Sequence, residues 1–206
     1  MLQMIKTRFL GYVHIHRRTY YIVSLLFCCG LILGIVFSAL LSDMRQQEIE
    51  DFVESFCRSS AVEGVNSSDS FYSSLTHSLK AVAVLWLCSV SSLFIPVSGF
   101  TVLSEGFGIG FTVGSLTRIF GLRGFALAGA AVFPGAIISI PVIIHFTCCS
   151  IYYAMERRKR PELVGDRSVM IRFCMTTFLC ILFLLVGALI DGYVSPVFVK
   201  SISALF

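Results

Sequence analysis

Charge is what this chain has least of. Of its 206 residues only 14% are Asp, Glu, Lys or Arg, against roughly 25% in a soluble domain. Together with 56% hydrophobic residues and a mean hydropathy of +0.87, that shortage excludes a water-soluble globular domain and points to an integral membrane protein. The short signatures of catalysis are missing too. There is no C-x-x-C, no H-E-x-x-H, no G-x-S-x-G and no P-loop. No spacing therefore sets out zinc ligands, a nucleophile with its base, or a phosphate cradle. No enzymatic activity, cofactor or metal is expected. The net charge of +4 is no sign of nucleic-acid binding, because the basic residues cluster beside apolar runs. The 8 cysteines make no disulfide framework. All but Cys57 lie in or next to apolar runs, where cysteine behaves as a small hydrophobe. His14 and His16 diverge on a helix and stand beside Arg17, so no metal site is expected there, and His77 reads as a solvated surface histidine.

Long apolar runs are abundant. Tyr20 to Leu41 is free of formal charge over 22 residues, and about 20 apolar residues span a bilayer. A signal peptide has a shorter apolar core, roughly 7–15 residues, followed by a small-x-small site. Ser42-Asp43-Met44-Arg45 is not such a site, so an uncleaved anchor is expected. Further spans are predicted at Ala81–Val97, ending at Pro96, at Gly99–Leu116, at Phe125–Tyr153 and at Phe173–Ile190. Pro134-Gly135 and Pro141 should kink or break the fourth span, since proline frees carbonyls that a neighbour must satisfy. Arg118–Arg123 reads as a tight turn. The fold class is all-α: a polytopic integral membrane helical bundle of about five transmembrane helices.

The polar parts divide the chain as residues 1–19, a basic cytoplasmic start; 20–41, the anchor; 42–80, an extracytoplasmic acidic amphipathic helical segment; and 81–206, the membrane bundle. That bundle contains a cytoplasmic basic loop at 154–172 and an extracytoplasmic tail from Asp191 onward. Lys6, Arg8, Arg17 and Arg18 flank the first span, and six Lys/Arg lie between Arg157 and Arg172. Both clusters belong inside by the positive-inside rule. Arg118 and Arg123 then fall outside, against that rule. Ser42–Thr76 carries seven of the 12 acids. Within it Ile49, Phe52, Val53 and Phe56 repeat at i, i+3, i+4, i+7, the pattern of an amphipathic helix that can dock a partner.

Two stretches carry a small-residue face. Gly106, Gly110 and Gly114 recur every fourth residue, and so do Gly30, Gly34 and Ser38. Such faces let helices approach backbone to backbone in lipid. Glu105 lies one residue before the longer ladder, near the expected cytoplasmic end of its span. A carboxylate there must be wet, paired or protonated, and His145 in the fourth span is a candidate partner. Glu105, His145 and Asp191 also allow an alternative, a small oligomeric channel or transporter built from Glu105 and the glycine ladder.

The pattern as a whole resembles a known family. An anchor with Gly30 and Gly34 leads through an acidic segment into SLKAVAVLWLCSV; GFGIGFTVGSLTRIFGLRGF follows, and then FPGAIISIP. These stretches are similar to the stage II sporulation protein M family, and the similarity covers nearly the whole chain. Many relatives carry a Glu or amide shortly after the proline of the fourth span; here Gly135 and Ala136 follow Pro134. The resemblance implies a non-enzymatic scaffold of the engulfing septal membrane in endospore formation. Its implied partners are two peptidoglycan-degrading proteins, stage II sporulation proteins D and P, besides membrane lipid and possible further copies of itself. Its implied glycine role is helix packing, within the bundle or between copies.

Overall fold

The computed structural model describes residues 17–41, 47–49, 51, 67–90, 92–159 and 167–193. Every described element is helical. Helix α1 is Arg17–Ala39, α2 is Ser67–Val90, α3 is Ile95–Lys159 and α4 is Arg167–Tyr193, with a single 3-10 turn at Ser92–Phe94 between α2 and α3. Three helices are long and apolar enough to cross a membrane: α1, α3 and α4.

Helix α3 has 65 residues and would reach about 97 Å if straight, at 1.5 Å per residue. A bilayer core is only about 30 Å thick. The chain solves this at Gly121, which alone within α3 leaves helical geometry, at φ 62 and ψ −136. Leu116 packs with Leu127 and Ala128 across that break, so the two limbs of α3 fold back on one another. The turn falls inside the expected Arg118–Arg123 segment. The expected interruptions at Pro134 and Pro141 do not occur: both prolines sit within helical geometry. Pro96 also differs from expectation. It lies in the first turn of α3, where its missing N–H has no helical partner to lose, rather than at the end of the preceding span.

Contacts fix the direction of each rod. Ser38 hydrogen-bonds Ser115 and Arg118 reaches Ser38 and Leu41, while Gly30 lies against Leu103 and Phe107. The first limb of α3 therefore runs parallel to α1. The second limb runs back, and α4 is antiparallel to it, with Tyr153 stacked on Phe173 at 4.5 Å and Ser139 beside Gly187. Helix α2 begins at Ser67 and packs antiparallel to α4, with Phe71 against Gly192 and Ser74 bonded to Asp191. Residues 67–80, expected in the outer polar segment, thus form the first half of a bundle helix. The main core joins all of these rods through Val23, Leu85, Val102, Phe146 and Leu184.

The turn yields the first prediction. A Cβ at Gly121 forces a backbone region that only glycine visits readily, so Gly121→Ala is expected to destabilise the bundle by about 1–3 kcal/mol. Gly129, where an added Cβ meets nothing within 4 Å, serves as the control: Gly129→Ala is expected to stabilise by about 0.5–1 kcal/mol. Unfolding by SDS titration from mild detergent measures both.

Candidate functional site

The widest helix contact joins α1 to α3, and it is built from the two small-residue faces. An added Cβ at Gly110 would strike the backbone of Leu31, and one at Gly106 the carbonyl of Phe27. From the other side, a Cβ at Gly34 would lie 2.6 Å from the Phe111 nitrogen and 3.0 Å from the Gly110 carbonyl carbon. Gly30 meets Leu103 and Phe107 in the same way, and Gly114 meets Ser38 and Ile35 at 3.0–3.2 Å. Each ladder is the other's partner, and both belong to one chain. The five packing glycines singled out in the sequence, Gly30, Gly34, Gly106, Gly110 and Gly114, all lie in this seam. Phe37 packs over Phe107 and Phe111 beside it, at 5.7 and 6.2 Å between ring centres.

Arg118 closes the seam at its far end. Its guanidinium donates to the carbonyls of Ser38, Ala39 and Leu41 at 3.1, 3.0 and 3.1 Å. These carbonyls lie at and just beyond the C-terminus of α1, where helical partners run out and Ser38 O accepts the Leu41 N–H only at 3.4 Å, and a cation there also matches the helix dipole. An arginine on the wrong side of the positive-inside rule was the only sequence signal for this cap.

The ionisable residues inside the bundle form two separate groups. Glu105 lies ten residues into α3, well away from the end of its limb. Its partner is His77 on α2, with Oε1 3.8 Å from Nδ1, and not His145. One turn along α2, Ser74 donates to Asp191 at 2.9 Å, and Asp191 abuts Gly135. Asp191 is therefore part of α4 and faces the bundle, where a tail was expected. Because Ser74 and His77 are three residues apart on one helix, the two carboxylates sit within about 5 Å of each other in depth. His145 belongs to the second group. Its Nδ1 shares a hydrogen bond with the Tyr20 hydroxyl, and its Nε2 is 3.6 Å from Cys149 Sγ. Both groups obey the rule that ionisable side chains in a membrane interior pair with one another or with polar neighbours. Neither His77 nor Tyr20 was legible as a partner, since only the order of the rods brings them near.

Among the described residues no group of three His, Cys, Asp or Glu side chains is placed to hold a metal ion, and seven described cysteines are free thiols. Ile49 lies in a short helical stretch at 47–49. Phe52, Val53 and Phe56, the rest of the expected docking face, lie outside the described residues.

A chain whose described elements are all helical, with three rods apolar and long enough to span a bilayer and a backbone-to-backbone glycine seam, is an integral membrane protein. Within that class its family is shown by sequence: the family model for stage II sporulation protein M matches residues 23–196, and the chain belongs to that family. It is not a known enzyme family. No curated protein and no solved structure matches the chain.

The seam generates the second prediction. Gly110→Ala drives a methyl into the Leu31 backbone, which cannot move aside without shifting α1, and is expected to cost about 1–3 kcal/mol. Gly108, two residues away, has nothing within 4 Å of an added Cβ, so Gly108→Ala should not destabilise. Ser74→Ala removes one interhelical hydrogen bond and is expected to cost about 0.6 kcal/mol. The same SDS titrations rank the three.

Proposed function

We propose that this protein is a non-enzymatic membrane scaffold in endospore formation. It anchors peptidoglycan-degrading partners, stage II sporulation proteins D and P, at the septal membrane during engulfment. Membership of the stage II sporulation protein M family supports the process. The observation that carries the scaffold role is the seam. The strongest motif in the chain is used up by packing two of its own helices against each other, which makes a rigid post and leaves the ladder no ligand to hold.

The bundle's ends support the arrangement. The last turn of α1, the start of α2 and the Gly121 turn share one end, because α1 parallels the first limb of α3 while α2 opposes it. Residues 42–66, with six of the chain's 12 acids, connect those two helix ends. Arg17 and Arg18 at the start of α1, and Arg157, Arg158 and Arg172 beside the junction of α3 with α4, share the other end. With that basic end in the cytoplasm, α1, α2, the two limbs of α3 and α4 make five crossings, and the acidic segment faces the wall. Ile49, Phe52, Val53 and Phe56 then present the partner-docking face.

The alternative is a small oligomeric channel or transporter using Glu105 and the glycine ladder. It draws on the closeness in depth of Glu105 and Asp191.

Affinity purification of tagged protein from sporulating membranes in mild detergent, read by mass spectrometry, separates the two. Wild type is expected to retain the wall hydrolases. Replacing residues 42–66 by a flexible linker of equal length, or introducing Phe52→Asp with Phe56→Asp, should lower their recovery at least tenfold, while Glu105→Gln leaves it unchanged. A Glu105→Gln strain blocked in engulfment as fully as a deletion strain, with hydrolase recovery intact, would sink the scaffold in favour of transport.

A further inference from the structure

Helix α2 turns a polar stripe outward. Its buried face is Ser78, Ala81, Val82, Leu85, Cys88 and Ser89. On the opposite side Ser73, Thr76, His77 and Lys80 are all exposed and follow one another at helical spacing. The His77 side chain is 70% exposed even while it touches Glu105, whose own side chain is 17% exposed at the edge of the same surface. Beside them, on the first limb of α3, runs a second exposed line of small side chains: Ser104, Gly108 and the half-buried Thr112. The His77–Glu105 contact joins the two lines into one surface. Around Gly108 there is open space, with nothing within 4 Å of an added Cβ.

In the five-crossing arrangement proposed above, on which this inference rests, the surface lies at bilayer depth. His77 is level with Glu105, which stands ten residues into the limb that parallels the charge-free run of α1. Lys80 lies three residues further along an antiparallel helix, so its Cα is within about 5 Å of Glu105 in depth. An ammonium and an imidazole facing hydrocarbon are costly, and such groups face another protein surface or water and pair with opposite charge. The surface carries its own complement, two basic side chains and one carboxylate. Copies of a membrane protein that share an orientation are related by an axis along the membrane normal, so groups meet across a two-fold interface only at matching depth. Lys80 and Glu105 meet that condition.

We infer that the stripe formed by α2 and the first limb of α3 is the contact between two copies of this chain in the bilayer. Lys80 of each copy pairs with Glu105 of the other, and Gly108 lets the two first limbs approach. This contact is separate from the seam between α1 and α3, which lies within one chain, and it does not depend on the scaffold role.

The test uses the full chain, labelled in two colours and reconstituted into liposomes, with energy transfer followed as lipid dilutes the protein. Wild type is expected to dimerise. Lys80→Glu and Glu105→Lys should each weaken association at least tenfold by setting like charges at one depth, and the double variant Lys80→Glu/Glu105→Lys should restore it to within about threefold. Gly108→Leu keeps the monomer fold, because the space is open, and should abolish energy transfer while thermal stability in detergent holds. A wild type that stays monomeric at every lipid ratio, a Gly108→Leu variant that dimerises like wild type, or a charge swap that fails to recover association would each overturn the proposal.

Discussion

Close approach of two backbones holds this molecule together. In lipid, burying apolar surface yields little, because the solvent is as apolar as the side chains, and helices associate through dispersion contacts that fall off steeply with distance. Gly106, Gly110 and Gly114 meet Gly30, Gly34 and Ser38 so tightly that most of these positions have no room for a methyl group. With α1 and the first limb of α3 locked in parallel, the rest of the order follows. The Gly121 turn must send the second limb back, and α4 and α2 pack on what that limb leaves open. Arg118 ties the end of α1 to the α3 turn through three carbonyls. It supplies polar contacts at the end of the seam where the helical hydrogen-bond ladder of α1 runs out.

Three polar pairs tie one helix to another. Ser74 with Asp191, His77 with Glu105, and Tyr20 with His145 each join two rods. Such pairs add modestly to stability, about 0.6 kcal/mol for a typical interhelical hydrogen bond in lipid. Their larger effect is on register. A helix slid by one turn would strand a carboxylate in hydrocarbon, and that cost rules out the slipped arrangement. The glycine seam chooses which helices meet, and the polar pairs choose at what height.

For a scaffold, rigidity matters more than any reactive group. Both attachment points of the acidic segment sit at the same end of a tightly packed post, as the proposed scaffold role requires. That fits a family associated with sporulation and not with catalysis. In the most conspicuous motif glycine is useful for the side chain it lacks, because only without it can the two backbones meet.

Much was legible in the sequence because it depends on neighbours along the chain. Scarce charge and long apolar runs require a membrane bundle. A four-residue glycine period requires a close-packed helix face. The basic flanks mark one end, and glycine among arginines at 118–123 marks a turn. What faces what was not legible. Nothing local says that the ladder at Gly106 meets the one at Gly30 within the same chain. Nothing local says that Glu105 pairs with His77 and leaves His145 to Tyr20, or that Asp191 closes on Ser74. The prolines misled for a related reason: each removes one helical hydrogen bond, and the second limb keeps its helical geometry through both Pro134 and Pro141. Composition and period decided the kind of protein and the shape of each rod. The order and direction of the rods, which only long-range packing sets, decided which side chains meet.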